Sequence, residues 1–286
     1  MNKADKRDVW PCPPENMRPD RPEIMTAIGE GSRHQIGDGV SFESLVGGHN
    51  QARNLTTGIV TFEPGAKLPY HLHEFTESVT LLSGTVSAEV QGRRYAIGEL
   101  DNVTIPRGFA HQTGNASQSE PAVIHIAMGS DRPERTLVDD KFPVREMPGD
   151  SLGSPGGERV TRTAQSETYS PGMATEFVDF FNEHLMPGIE MSGGYGVFQP
   201  GGRLPAHAHD FDESICIVEG AATCIVEGRH FSLDRCATAL QPRGRVHYFI
   251  NETQARMAMI WAYAGPLPER SVVDERCATL EGDPWK

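Results

Sequence analysis

PGAKLPYHLHEFTESVTLLSG, from Pro64 to Gly84, returns later in the chain as PGGRLPAHAHDFDESICIVEG, from Pro200 to Gly220. Each copy carries a His-x-His pair followed by Glu after three residues. The first set is His71, His73 and Glu77, and the second is His207, His209 and Glu213. Downstream, IPRGFAHQTGN matches QPRGRVHYFIN and adds His111 and His247. All four pairs are separated by the same 136 positions. In an extended strand, residues two apart face the same side, so the two histidines of each His-x-His pair project together.

Working outward, Gly58–Gly129 aligns with Gly194–Gly265 without a gap, and about a third of the positions are identical. A period this long indicates tandem domains, since solenoid repeats run roughly 20–50 residues. The segments between the motifs are short, apolar and β-branched: GIVTF, SVTLLSG, VSAEV, VTIP and AVIHIAM, then GYGVFQ, SICIVEG, HYFI and MAMIWAYAG. They are spaced like the strands of a sandwich or barrel, and long segments of helical period are absent. The expected class is all-β.

Five segments are expected. Residues 1–38 form a Pro-rich, charged N-terminal extension, read as a flexible tail or, alternatively, as an arm that covers a neighbour or a pocket mouth. The first domain covers 39–130. A polar, Pro- and Gly-rich linker with one short ordered piece covers 131–167, the second domain 168–266, and an irregular tail 267–286.

The 286 residues are enough for two modest cores. A net charge of −13 disfavours nucleic acid and anionic membranes as partners, because phosphate recognition needs clustered Lys and Arg. Five cysteines without CxxC spacing point to reduced thiols and a cytoplasmic setting, and disfavour a zinc–thiolate site.

The motifs resemble the cupin superfamily, and the resemblance covers about two thirds of the chain. Gly65, His71, His73, Glu77 and Gly84 meet the first cupin motif, as do Gly201, His207, His209, Glu213 and Gly220. Gly98, Pro106, Gly108, His111 and Asn115 meet the second motif. Its second copy keeps Pro242, Gly244, His247 and Asn251 but has Asp234 where the leading Gly would stand. The resemblance implies a bicupin, two tandem double-stranded β-helix (jelly-roll) barrels. It also implies that three imidazoles and one carboxylate converge in each barrel on one divalent transition metal. Without a thiolate, such a set suits Fe(II) foremost, and also Mn(II), Ni(II), Co(II) or Zn(II).

One carboxylate per centre leaves net positive charge, which favours a small substrate bound as carboxylate, enolate or phenolate. The leading expectation is a mononuclear non-haem dioxygenase in which Glu77 or Glu213 doubles as proton acceptor. The alternatives are a non-oxidative isomerase, lyase, hydrolase or decarboxylase, and a non-catalytic binding protein. Oxalate decarboxylases are similar bicupins. Their chains are longer, however, their first motif usually has one more residue before Glu, and their lid is not recognisable here. Family analogy allows a homodimer.

Residues next to the ligands are candidate substrate contacts: Lys67, Tyr70, Phe75 and Gln112 in the first copy, and Arg203, Phe211 and Tyr248 in the second. Arg107 and Arg243 read as structural. His125 reads as a packed strand position equivalent to Trp261, and His34, His49, His184 and His230 as loop or surface residues.

Overall fold

The computed structural model describes residues 13, 15–139 and 142–278. Within that range the chain forms two tandem β-barrels of the double-stranded β-helix type. In the first, a seven-stranded sheet runs in the order Arg159–Thr161, Asn102–Ile105, Glu77–Ser83, Ala122–Met128, Thr56–Phe62, Val40–Val46, Ser32–Gly37. It faces a six-stranded sheet that contains His71–Leu72, His111–Asn115, Val86–Val90 and Arg93–Ile97. In the second barrel the long strand Ser192–Arg203 pairs with both Met257–Tyr263 and His247–Ile250, which joins the two faces into one eleven-stranded sheet. Gly84 and Gly220 turn the equivalent hairpins at φ 88° and 68°. A Cβ at Gly84 or Gly220 would stand 2.6 Å from the backbone oxygen of Pro121 or Arg256, respectively.

Strand alternation sorts most of the buried apolar side chains into three large cores. Ala122, Ile124, Ile126 and Met128 pack inside the first barrel. Met257, Met259, Trp261 and Tyr263 pack inside the second. Between the barrels lies a third apolar core, where Leu45, Leu55, Ile59 and Ala127 meet Phe180, Cys216, Val218 and Ile260. His125 alternates onto this interface side of its strand, between Val123 and Ala127.

These assignments correct the ungapped alignment. Ile126 pairs with Val79 and Gly58, whereas Trp261 pairs with Ile215 and Gly194. Trp261 is therefore the counterpart of Ile126, and His125 corresponds to Ile260. The loop before the last barrel strand is one residue shorter in the second copy, so the repeat changes from 136 to 135 after Asn251.

The segment expected to be a linker is largely stitched to the first barrel. Thr136–Leu137, Arg145–Glu146 and Arg159–Thr161 each add a short strand to it. The fully buried Glu158 accepts Nε–H and Nη2–H bonds from Arg93 at 2.7 and 2.8 Å, and a further bond from the Tyr95 hydroxyl. Polar composition hid this segment because its anchors are charged groups with buried partners.

The N-terminal extension is likewise no free tail over its described part. Ile24–Thr26 pairs with Thr238–Gln241 of the second barrel, Met17 enters that barrel's core, and Arg21 forms a buried two-pronged pair with Asp212 at 2.8 Å. Among the described residues, no helix is long and apolar enough to cross a membrane.

Candidate metal centres

The double-stranded β-helix brings together what the sequence separates. His71 lies directly across the sheet from His111, and His207 from His247. Glu77 and Glu213 open the next strands in the chain, and His73 and His209 follow the first histidines by two. All eight side chains are buried, and within each quartet the ligand atoms lie inside 4.8 Å of one another.

The proton inventory of each quartet is decisive. In the first, Nδ1 of His71, His73 and His111 each faces a backbone carbonyl, of Pro69 at 2.8 Å, Glu134 at 2.6 Å and Phe109 at 2.8 Å. A carbonyl only accepts, so each Nδ1 carries the hydrogen and each Nε2 is left with a lone pair. Yet Nε2 of His73 and His111 stand 3.0 and 2.9 Å from the same Glu77 oxygen. The second quartet repeats this, with His207 and His247 donating to Pro205 and Arg245. His209 and His247 reach Glu213 Oε2 at 2.9 and 2.8 Å. At His209 the approach lacks hydrogen-bond alignment, and its buried Nε2 has no partner.

Lone pairs aimed at a carboxylate out of water require a cation between them, either an added proton or a metal ion. Ligand atoms about 2.1 Å from a shared ion stand roughly 3 Å apart when adjacent. The observed His–Glu separations have that value, so the residues fit a divalent ion.

Electrostatics agree. Burial lowers the His71 imidazole to about 4, helped by the neighbouring His111. Burial likewise drives His207 well below its ordinary value. Burial works against charge on Glu77 and Glu213, but contacts with His111 and His73, and with His209 and His247, hold both carboxyls well below the usual range. The two quartets differ at one member. Burial opposes charge on His73 but the contact with Glu77 outweighs it and raises the pKa, whereas at His209 burial prevails and lowers it.

A "Cupin domain" family profile matches residues 58–128 and again 194–263. The chain belongs to the cupin superfamily. It is a bicupin, and the shorter second match reflects the shortened loop. No curated protein sequence matches this bicupin significantly. Among solved structures it is similar to a Lactobacillus farciminis oxalate decarboxylase formate complex, at 15% identity and TM-score 0.69, over 87% of this chain and 88% of that one. It is also similar to Bacillus subtilis oxalate decarboxylase at pH 4.6, at 15% identity and TM-score 0.66, over 91% and 81% of the two chains. At this identity the likeness is one of fold.

The barrels differ in what surrounds their quartets. A cavity of about 240 Å³ opens onto His71, His73 and Glu77, walled by Phe42, Val60, Leu68, Ile124, Ile126 and Met128, with Gln35, Glu134 and Arg135 towards its mouth. In the second barrel, Trp261 and Tyr263 fill the positions of Ile126 and Met128. Tyr263 stands 4.9 Å from both the Trp261 and His209 rings. That quartet is approached from outside, through a cleft of about 640 Å³ that reaches His209.

Most candidate substrate contacts lie away from these spaces. Tyr70 donates its hydroxyl to Glu89 at 2.6 Å, and Gln112 also points towards Glu89, on the outer side of the strands that carry His71 and His111. Lys67 is exposed. Arg203 lies over the Tyr248 ring and pairs with Glu275 at 2.8 Å. Adjacency to an inward ligand puts a residue outside, which is the physical reason for these corrections. Phe75 and Phe211 do reach the centres, stacked on His73 and His209 at 4.7 and 5.4 Å. Arg243 is structural, holding Asp210 and Asp212. His34, His49, His184 and His230 are exposed.

One repeated element escaped the sequence reading. Pro133-Glu134-Arg135-Thr136-Leu137 corresponds to Pro268-Glu269-Arg270-Ser271-Val272, but only at the spacing of 135. The register is the same in both copies: Leu137 faces His71 and Val272 faces His207. Each copy thereby brings an arginine to the entrance of its quartet.

Proposed function

We propose that this bicupin is a metal-dependent enzyme whose reaction takes place in the first barrel, as a dioxygenase of a small substrate bound through a carboxylate, enolate or phenolate oxygen. The supporting observation is the cavity beside the first quartet, which combines three ligand residues with an apolar wall. A bound Fe(II) would supply substrate chelation and O2 activation. His71, His73, His111 and Glu77 would hold it. The chain's own part is to orient and to exclude water. Carbonyls of Pro69, Glu134 and Phe109 fix the three imidazoles in one tautomer. Phe42, Ile124, Ile126 and Met128 shape a dry wall for an apolar substrate body and for O2. Glu77 is held as the carboxylate, its charge being favoured by the histidines around it, which suits a ligand. In the second barrel, Trp261 and Tyr263 take the places of Ile126 and Met128, which wall the first cavity, and this suits a metal held there for structure.

A second reading has one observation in its favour. Glu134 lines the same cavity from its exposed mouth, where a carboxylic acid can deliver a proton. A decarboxylase or isomerase needs such a donor, and the similar folds belong to oxalate decarboxylases.

Elemental analysis of protein purified without added metal, followed by O2-uptake assays with diketones, phenols and small carboxylates, separates the readings. Iron in the first barrel with stoichiometric O2 consumption supports the dioxygenase. CO2 release without O2 consumption, abolished in Glu134→Gln, replaces it with the second reading. Absence of metal from both barrels after reconstitution overturns both.

A further inference from the structure

We infer that Glu190, a residue of the second barrel, is a positioning residue for the metal centre of the first, acting through Thr76, the residue immediately before Glu77. This rests on the reading of the quartets as metal sites. Both oxygens of the Glu190 carboxylate are engaged by Thr76: Oε1 accepts its backbone N–H at 2.5 Å and Oε2 its hydroxyl at 2.9 Å. The Thr76 carbonyl in turn accepts the Gly129 N–H at 3.0 Å. Every polar group of the buried Thr76 is thus held. A ligand is only as well placed as the backbone that carries it, and this clamp fixes the peptide from which Glu77 opens its strand.

Glu190 is itself anchored. Its chain neighbours Ile189 and Met191 are buried in the apolar core between the barrels. The three atoms nearest to a Cβ built at Gly129 all belong to Glu190, with Oε1 at 2.7 Å, so this glycine leaves the space that the carboxylate occupies. The second barrel shows the same device with the roles exchanged. Asp212 stands 136 positions after Thr76 and immediately before Glu213. There the acceptor is the Asp212 carboxylate, and the first barrel supplies a donor, the Arg53 backbone N–H at 2.8 Å. On the other side of Glu213, the Ser214 hydroxyl lies 2.6 Å from that of Thr57, again in the first barrel. In both barrels the chain beside the metal glutamate is tied to the opposite barrel.

Competitive titration of Co(II) against a chromophoric chelator tests this, in full-length Glu213→Ala to isolate the first centre and in Glu77→Ala to isolate the second. Glu190→Gln keeps the size of the side chain but offers one acceptor oxygen to two donors. It is expected to weaken Co(II) binding at the first centre by roughly ten- to hundredfold, the usual effect of removing a group that orients a metal ligand, and to shift the visible Co(II) bands there. Affinity and bands at the second centre should be unchanged. Gly129→Ala, which displaces the carboxylate without altering it, should reproduce the effect and serves should Glu190→Gln not fold. Thr76→Ser, which retains both donors, should bind as wild type does. Unaltered affinity at the first centre in Glu190→Gln and Gly129→Ala overturns the inference, as does equal weakening of both centres, the mark of a general loss of stability. Absence of Co(II) binding by wild type removes the metal reading itself, and the inference with it, a result distinct from either of these.

Discussion

Met128 and Tyr263 are structural counterparts: each is paired across the sheet with its barrel's glutamate, Met128 with Glu77 and Tyr263 with Glu213. Two barrels with the same ligand set therefore differ in the side chain that stands over the carboxylate. A flexible thioether lines the cavity in the first, whereas in the second a larger phenol packs against Trp261 and His209.

Met128→Tyr is accordingly expected to close the first cavity. Turnover should fall by roughly a hundredfold, because displaced substrate loses its reactive alignment, while the metal content of the first barrel is kept. Unchanged turnover in this variant would move the reaction out of that cavity.

Removing ligands one barrel at a time should remove metal one barrel at a time. Glu77→Ala and His71→Ala are expected to lose the first equivalent and keep the second, and Glu213→Ala and His207→Ala the reverse, read by elemental analysis. Chelation of wild type should lower the melting temperature, since an ion that binds only the folded state stabilises it by mass action.

His125 gives a pH dependence with a definite sign. Burial at the interface between the barrels lowers its imidazole from 6.5 to about 4, and its Nε2 has no partner. Between those values the unfolded chain binds a proton that the folded chain refuses, so stability falls as pH drops from about 6.5 towards 4. The loss attributable to this residue approaches roughly 3 kcal/mol. Denaturant melts of His125→Ile should show a shallower acid decline than wild type.

Arg21→Ala should destabilise the protein by about 3 kcal/mol, because it removes the opposite charge from the buried Asp212 carboxylate and leaves it only the Arg53 and Arg243 N–H donors. Calorimetry should show the loss in the second barrel's transition. A variant that melts like wild type would mean that the arm contributes nothing to stability.

The His-x-His and Glu positions were legible because metal ligation fixes residue type and spacing together. The strands were legible because alternation and turn residues repeat. What hid the rest was register and side. A one-residue shortening before Met257 shifted the Pro-Glu-Arg repeat out of step, so Arg135 and Arg270 did not align. Tyr70, Gln112 and Tyr248 lie next to ligands in sequence, and for that reason point to the opposite side in space. The polar segments around Glu158 and Arg21 read as linker and tail because composition does not reveal that a distant charge is waiting as partner.

The pairing of Ile24–Thr26 with Thr238–Gln241 also sets a schedule for synthesis. Residues made before the first barrel cannot take their place until strands of the second have emerged, and the whole first barrel lies between them. The first barrel has most of its strands in hand before the second is made, whereas the second completes its edge with a segment made before the first barrel. Separating the halves at the segment between them would thus yield unequal products: a first barrel with its strands present, and a second missing an edge strand that is encoded on the other side of the cut.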